Sequence, residues 1–488
     1  MPVTNLLKRN LLLIAIMLVA LFFYTFRIHQ TFIMASDTAR DLIRVMEIWQ
    51  GKIITAIGPP VNTISNNPIQ VYFGSMHYYF GLLGLLLSNF DPVGSVYINI
   101  ALTFLSIPFF FLLSKEILKK RGVALLSTFV YALSPITIAL ARSYWNPNLI
   151  IPLSVFVWFL FLYKKSLVKY FLAGIVSGII FNLHYMNIIP IALFIVFLFF
   201  KTDKRYLLSV AIGFILATSP LIAFELKNHF FLIKAFIGTF GGFSAFSGRT
   251  PNPFLSIDTF FHIFGLGPYQ YFFPSQVNIT FGYRIIMDTV IGIAFVYFLI
   301  KKQKIINFEL VCVILTGLLV GWYFEEFHLV GLRYILSTYP LFIISFVAFV
   351  SSFGIYIILV PIIPMLILSV KIITHKLDPN SQEDYYPVQT VEEISKAIVA
   401  DSPTGKYNVT ENILGDARSL SFRYFLMRDA KVKPQSVEVY DRIDTLYVVT
   451  PSLDKTYKED RWEFVASGPK KISWEKDFGD LKLYKFIK

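Results

Sequence analysis

The chain has 488 residues, 56% hydrophobic and 17% aromatic, with only 15% charged and a formal net charge of +13. Ordinary soluble domains carry about 25% charged residues, so a soluble cytosolic enzyme is excluded, and the aromatic and aliphatic content excludes disorder. A strongly basic balance points to nucleic acid only where the basic residues share one solvated face, so their placement decides.

Apolar runs long enough to cross a hydrocarbon core of roughly 30 Å as helices fill the first three quarters of the chain. Predicted spans are 10–28, 94–114, 122–141, 149–163, 170–184, 186–200, 206–224, 284–300, 305–324, 333–350 and 354–373. The first run is no cleavable leader, because no A-x-A-like site follows Phe26 and further spans come after it. After it comes SDTARDLIRVMEIWQGK, 36–52, whose spacing at 100° per residue gathers Asp37, Arg40, Asp41, Arg44 and Glu47 on one face. Leu42, Val45, Met46 and Trp49 lie largely opposite, and Ser36 is placed to cap. The pattern predicts a helix in the plane of the interface. Two readings of its charged face stand: a solvated face laced by i,i+3 and i,i+4 pairs, or one on which Asp37 faces a cleft at membrane level.

Residues 69–90 are apolar enough to span, but counting them inverts every later loop. With 69–90 as a re-entrant or surface helix, one side receives five basic clusters, Lys8-Arg9, Lys115 to Arg121, Lys164 to Lys169, Lys201 to Arg205 and Lys301 to Lys304. The positive-inside rule then places the N-terminus in the cytoplasm, with 29–93, 142–148, 225–283, 325–332 and the C-terminal residues outside. Residues 375–488 hold 18 basic and 19 acidic residues at soluble composition, whereas 1–374 hold 26 and 12. Two domains follow, a membrane domain 1–374 and an outer domain 375–488. In the latter a helical pattern at 389–401 and strand patterns at 444–450 and 480–487 predict a small α/β layer fold. The basic charge therefore records orientation in a lipid bilayer, and no nucleic-acid partner is implied. The one cysteine, Cys312, lies in an apolar run, and the seven histidines show no metal-ligand spacing.

Ionisable residues deep in the spans, the mark of a transporter, are sparse; the polar residues sit at the outer ends of the helices. Asp37 after the first span, the interfacial helix, Gly58-Pro59-Pro60, Asn67-Pro68 and the apolar helix led by Tyr78-Tyr79 resemble the GT-C membrane glycosyltransferases. The resemblance is to the protein O-mannosyltransferases, the lipid A aminoarabinose transferases and, more closely, uncharacterised prokaryotic members of that superfamily. It continues through RSYWNPN at 142–148, NLHY at 182–185, SPLIAFELKNHF at 219–230, RYILSTYPLF at 333–342 and YPVQTVEEISKAI at 386–398.

The resemblance implies a polytopic α-helical fold of about eleven spans with interfacial helices in the first outer loop and a small α/β outer domain. It implies inverting transfer from a polyprenyl-phosphate-linked sugar to an acceptor hydroxyl at the outer membrane face. Asp37 takes the place of the catalytic acid, and Arg40 that of a basic residue near the donor phosphate. An acceptor hydroxyl is a poor nucleophile and needs a carboxylate to take its proton. The departing phosphate regains negative charge, which an Arg fork stabilises. Asp41 is read first as an orienter or partner of Arg44, and second as the base.

The His-x-Pro-Pro or Glu-Lys-Pro-Pro stretch of the better-known members is replaced here by Asn66-Asn67-Pro68, so Lys52 or Arg333 substitutes as the donor contact. Arg142 is followed by amides rather than the relatives' aspartate, so a second carboxylate and a divalent metal are doubtful, and no cofactor is required. Tyr144 and Trp145 read as interface-belt aromatics or as a sugar platform, with Asn146 and Asn148 as hydroxyl-binding amides. His184 is a packing residue or a substrate contact. Glu225 and Lys227 form a helix-end pair, or Lys227 meets the donor phosphate; Glu325, Glu326, His328 and Arg333 cluster between two spans. GTFGGFSAFSG, 238–248, reads as a flexible outer segment, a lid over the site. Asn278-Ile279-Thr280 and Asn408-Val409-Thr410 match the glycosylation sequon. The alternatives to a glycosyltransferase are a glycan flippase or transporter, or a non-catalytic glycan-binding subunit.

Overall fold

The computed structural model describes residues 3–34, 36–61, 71–240, 293–301, 306–326, 336–354, 359–374, 386–403, 405–411, 413, 418–453, 461–468 and 471–488. Packing divides them into two compact units that interleave in sequence: Met1–Phe26, Thr55–His77 and Ile98–Ile372 in one, Arg27–Ile54, Tyr78–Tyr97 and Ile373–Lys488 in the other.

The first unit is a helical bundle. It contains α1 (Val3–Thr25), most of α5 (Gly94–Leu118), α6 (Arg121–Leu133), α7 (Pro135–Ala141), α8 (Ile150–Leu162), α9 (Leu167–Leu183), α10 (Ile188–Lys201), α11 (Lys204–Lys227) and α12 (Phe231–Phe240). After a helical stretch at 293–301 come α13 (Phe308–Glu326), α14 (Tyr339–Ser351) and α15 (Leu359–Thr374). Helices thus coincide with the described part of every predicted apolar run. Among the described residues, two helices, α5 and α11, are long and apolar enough to cross a membrane, or three with the α6–α7 pair taken together.

That pair corrects the expectation of one helix over 122–141: α6 and α7 are bent by 48° at Ser134. Pro135 supplies the reason, since its ring cannot donate to the preceding turn and its neighbour is pushed to extended backbone. Ser134 is extended (φ −66°, ψ 142°), and its hydroxyl accepts from the Thr137 amide, so the break is capped.

Buried aromatics with polar tips tie the bundle together, because each tip needs a partner in an apolar interior. Tyr24 of α1 donates to the Ala132 carbonyl (2.8 Å), Tyr131 meets Ser106 (2.6 Å), Tyr339 meets Ser134 (2.8 Å), and the Trp158 indole donates to the Ser337 carbonyl (2.7 Å). Helices α9 and α11 pack closely, where small residues let two backbones approach. A Cβ on Gly174 would lie 2.1 Å from the Val210 carbonyl oxygen, and one on Gly213 would lie 2.1 Å from that of Phe171.

The second unit contains α2 (Ile28–Thr31), α3 (Ser36–Gly51), most of α4 (Met76–Leu87) and the C-terminal residues. Those form α16 (Val388–Asp401), β3 (Tyr407–Glu411), α17 (Leu420–Asp429), β4 (Thr445–Thr450), α18 (Trp462–Ala466), β5 (Lys471–Phe478) and β6 (Leu481–Ile487). The sheet order is β3-β4-β6-β5, with β3 and β4 parallel and the remaining pairs antiparallel. A crossover through α17 is what a parallel β3–β4 pair requires. Gly479, at φ +66°, turns the β5–β6 hairpin. The core here is Tyr440, Ile443, Leu446, Val448, Tyr484 and Phe486.

Two expectations meet this unit. Within the predicted 69–90 segment, α4 has 12 residues and is about 18 Å long. The apolar face of α3 does not lie open to lipid along its length: Leu42, Val45 and Met46 are buried and the helix packs on α17, while Trp49 stays half-exposed.

Candidate functional site

Asp37 opens α3 in its first turn, where the unpaired amides of a helix start favour negative charge. Its side chain is 39% exposed, that of Arg40 26% and that of Asp41 0%. Arg40 forks between the two acids, with Nη1 donating to Asp37 Oδ1 at 2.7 Å and Nη2 and Nε reaching Asp41 Oδ1 at 2.8 and 2.9 Å. Burial alone would lower the Arg40 pKa, but Asp41, Asp37 and the nearby Tyr78 outweigh it and hold the guanidinium above its ordinary value. Asp37, Arg40 and Asp41 therefore form one charge cluster.

The expected Asp41–Arg44 pair does not form. Asp41 falls on the buried face with Thr38, Leu42 and Val45, whereas Arg44 is exposed and pairs with Glu47 at 3.0 Å. Helix spacing offered Asp41 either arginine, and burial selects the neighbour whose fork reaches inward.

In the bundle unit the segment 142–148 is built from inward-turned polar groups. Arg142 donates to the Phe23 and Phe26 carbonyls at 2.8 and 2.9 Å, capping the C-terminus of α1, and burial brings its pKa down to about 10. Tyr144 stacks on the His77 imidazole, with ring centroids 4.2 Å apart, and donates to the His77 carbonyl at 3.0 Å. The Asn146 amide donates to the Leu183 carbonyl at 2.8 Å, and that of Asn148 to the Ser143 carbonyl and hydroxyl, both at 2.8 Å. His184 is buried, its ring 5.0 Å from Phe73, and Trp145 is half-buried. Tyr144, Asn146 and His184 thus share a neighbourhood with His77, which the sequence reading passed over. The signal was available: a histidine beside two tyrosines at the start of an apolar helix.

Glu225 accepts from the Leu232 and Ile233 amides at 2.8 and 3.1 Å and so caps α12, which corrects the expected pairing with the exposed Lys227. Asn408 is fully buried and its amide donates to the Ser436 and Val439 carbonyls, so this sequon presents no acceptor. His328, Arg333, Asn278 and residues 241–248 of the glycine-rich segment lie outside the described residues. Among the described residues no three His, Cys, Asp or Glu side chains gather to hold a metal ion. The acids of α3 are bridged by a guanidinium.

No family model matches the sequence, and no curated protein matches it. Solved structures do. The protein superposes over 99% of its length on 98% of ArnT from Cupriavidus metallidurans in the apo state, at a TM-score of 0.50 and 11% identity. It superposes over 97% of its length on AftD, an arabinofuranosyltransferase from Mycobacteria, at 0.50 and 12% identity. The fold is that of ArnT and AftD. The chain matches ArnT end to end but covers 40% of AftD. A second ArnT structure, bound to undecaprenyl phosphate, is similar over 98% of both chains at a TM-score of 0.48 and 11% identity.

Proposed function

We propose that the protein is an inverting glycosyltransferase that moves a sugar from a polyprenyl-phosphate-linked donor to an acceptor hydroxyl at the outer membrane face. The observation that carries the reading is the Asp37–Arg40–Asp41 cluster: an accessible carboxylate at a helix start, held by a guanidinium and backed by a buried acid, within a GT-C fold. The reaction needs one base and one phosphate anchor. As the acceptor oxygen bonds to the anomeric carbon, its proton passes to Asp37, and the breaking carbon–oxygen bond returns its electron pair to the phosphate. Arg40 exchanges a carboxylate for the phosphate oxygens, freeing Asp37 to accept a hydrogen bond from the acceptor hydroxyl as the donor arrives. Asp41 accepts from the guanidinium through Oδ1 and fixes its orientation.

Arg333 and Lys227 are the further phosphate contacts in this reading, with Tyr144, Trp145, Asn146, Asn148, His184 and His328 as substrate contacts. Residues 1–374 form the membrane catalytic part with a cytoplasmic N-terminus, and 375–488 the extracytoplasmic domain. The test is transfer of labelled sugar from synthetic polyprenyl-phosphate donors by the protein in detergent or vesicles. Turnover by wild type and a loss of about 100-fold or more in Asp37→Asn supports it. Donor movement across vesicles without transfer would turn the reading to a flippase.

A further inference from the structure

The C-terminal residues pack as one unit with the helix that carries the acids, and two polar clamps join them. The first lies five residues before Asp37. Phe32 leaves α2 in extended backbone, and its carbonyl accepts from the Val388 amide at 2.8 Å, while Ile33 pairs with Pro387 as an isolated antiparallel bridge. Val388 is the first residue of α16, so its N–H has no partner within its own helix and is spent on the chain that enters α3. The helix then lies along α17, burying Ala39, Leu42, Val45 and Met46.

The second clamp holds the far end of α4. Asn89 and Phe90 follow that helix at φ +51° and +62°, a left-handed pair that asparagine tolerates and phenylalanine does not favour. Such backbone persists where its surroundings over-determine it. Here the Phe90 carbonyl accepts from the Tyr424 hydroxyl at 2.8 Å and from Arg428 Nη1 at 3.3 Å. Arg428 is itself fixed by Glu392 at 3.1 Å and Asp429 at 2.7 Å. The near end of α4 carries Tyr78, whose electrostatic influence reaches Arg40. One clamp thus sets the start of the acid helix, and the other sets the far end of the helix that carries Tyr78.

We infer that the C-terminal domain is a positioning element for the acid cluster, acting through the Val388 amide on α3 and through Tyr424 and Arg428 on α4. Its catalytic consequence rests on the transferase reading; its structural consequence does not.

Val388→Pro tests the first clamp cleanly. Proline suits the first position of a helix, and Pro387 already holds the extended conformation that must precede one, so the substitution deletes the N–H and spares α16. Val388→Ala keeps the N–H and serves as the control for lost packing. Hydrogen–deuterium exchange of the full-length protein reads the result without turnover. The expected outcome is a rise of roughly ten-fold or more across 36–51 in the proline variant over the alanine variant, with 167–183 and 204–227 unchanged. Tyr424→Phe with Arg428→Met is expected to raise exchange across 78–87 in the same way, and it stands in if the proline variant does not accumulate. In transfer assays both lower kcat at unchanged donor KM. Equal exchange in the proline and alanine variants, or a rise spread evenly over the chain, overturns the inference. Localised exchange with no transferase activity in wild type sinks the proposed function and leaves the clamps standing.

Discussion

Asp37 and Asp41 are four residues apart on one helix, share one arginine and differ in what that arginine does for them. Asp41 is fully buried, so its charge is tolerable only beside a partner, whereas Asp37 is 39% exposed and stays solvated. Removing the guanidinium from a buried carboxylate costs about 3–5 kcal/mol, while an exposed pair contributes about 0.2–1 kcal/mol. Arg40→Ala is therefore expected to lower thermal stability by an amount at the lower end of the buried range, and Asp37→Asn to leave it within about 1 kcal/mol; melting in detergent separates the two. A residue chosen for folding would behave like Asp41, and one chosen for chemistry like Asp37. The sequence pattern identified both acids and the arginine between them, but gave Asp41 the wrong partner, because angular position on a helix says nothing of which face is covered. At the other end of the same unit, Asp401 accepts from Lys485 at 2.6 Å, from Trp474 at 3.2 Å and from the Tyr447 hydroxyl. Burial would raise its pKa, but these three hold it below the usual carboxylate value. The group binds its proton less tightly folded than unfolded, so its stabilisation is present above the ordinary pKa of about 3.9 and disappears as pH falls through the depressed one. Asp401→Asn is expected to lower the melting temperature at pH 7 and to leave it little changed near pH 2–3. An equal effect at both pH values contradicts that assignment.

At the scale of elements, the apolar runs read directly as helices because a membrane interior demands internally paired backbone. The break at Ser134-Pro135 is legible as well, since a proline inside a helical run ends or bends it, although hydropathy averages over such a residue and shows one run. The packing of α3 on α17 was not legible. An apolar stripe facing lipid and one facing another helix have the same composition, and the partner lies almost 400 residues along the chain. The contact between α9 and α11 rests on glycines whose obstacles are carbonyl oxygens, which cannot swing aside as side chains can. Gly174→Ala and Gly213→Ala are each expected to destabilise by about 1–3 kcal/mol through backbone displacement. Gly122→Ala, where a Cβ meets nothing within 4 Å, is the neutral comparison, and equal melting of all three contradicts the packing account.

At the scale of the whole molecule, the fold is that of ArnT and AftD, although identity with those solved structures is only 11–12%. What was hidden is the interleaving of 27–54 and 78–97 with the C-terminal residues, since composition changes near residue 374 whereas packing joins segments on both sides of it. The proposed orientation makes its own prediction. With Cys312 replaced by serine, a cysteine at Lys433 is expected to react with an impermeant maleimide in intact cells, and one at Lys119 only after permeabilisation; the reverse pattern contradicts it. The most direct test of the central claim is sugar transfer from a labelled polyprenyl-phosphate donor by wild type and Asp37→Asn, side by side. The account predicts turnover by the wild type and a loss of about 100-fold or more in a variant that melts like it; equal turnover by the two proteins would contradict it.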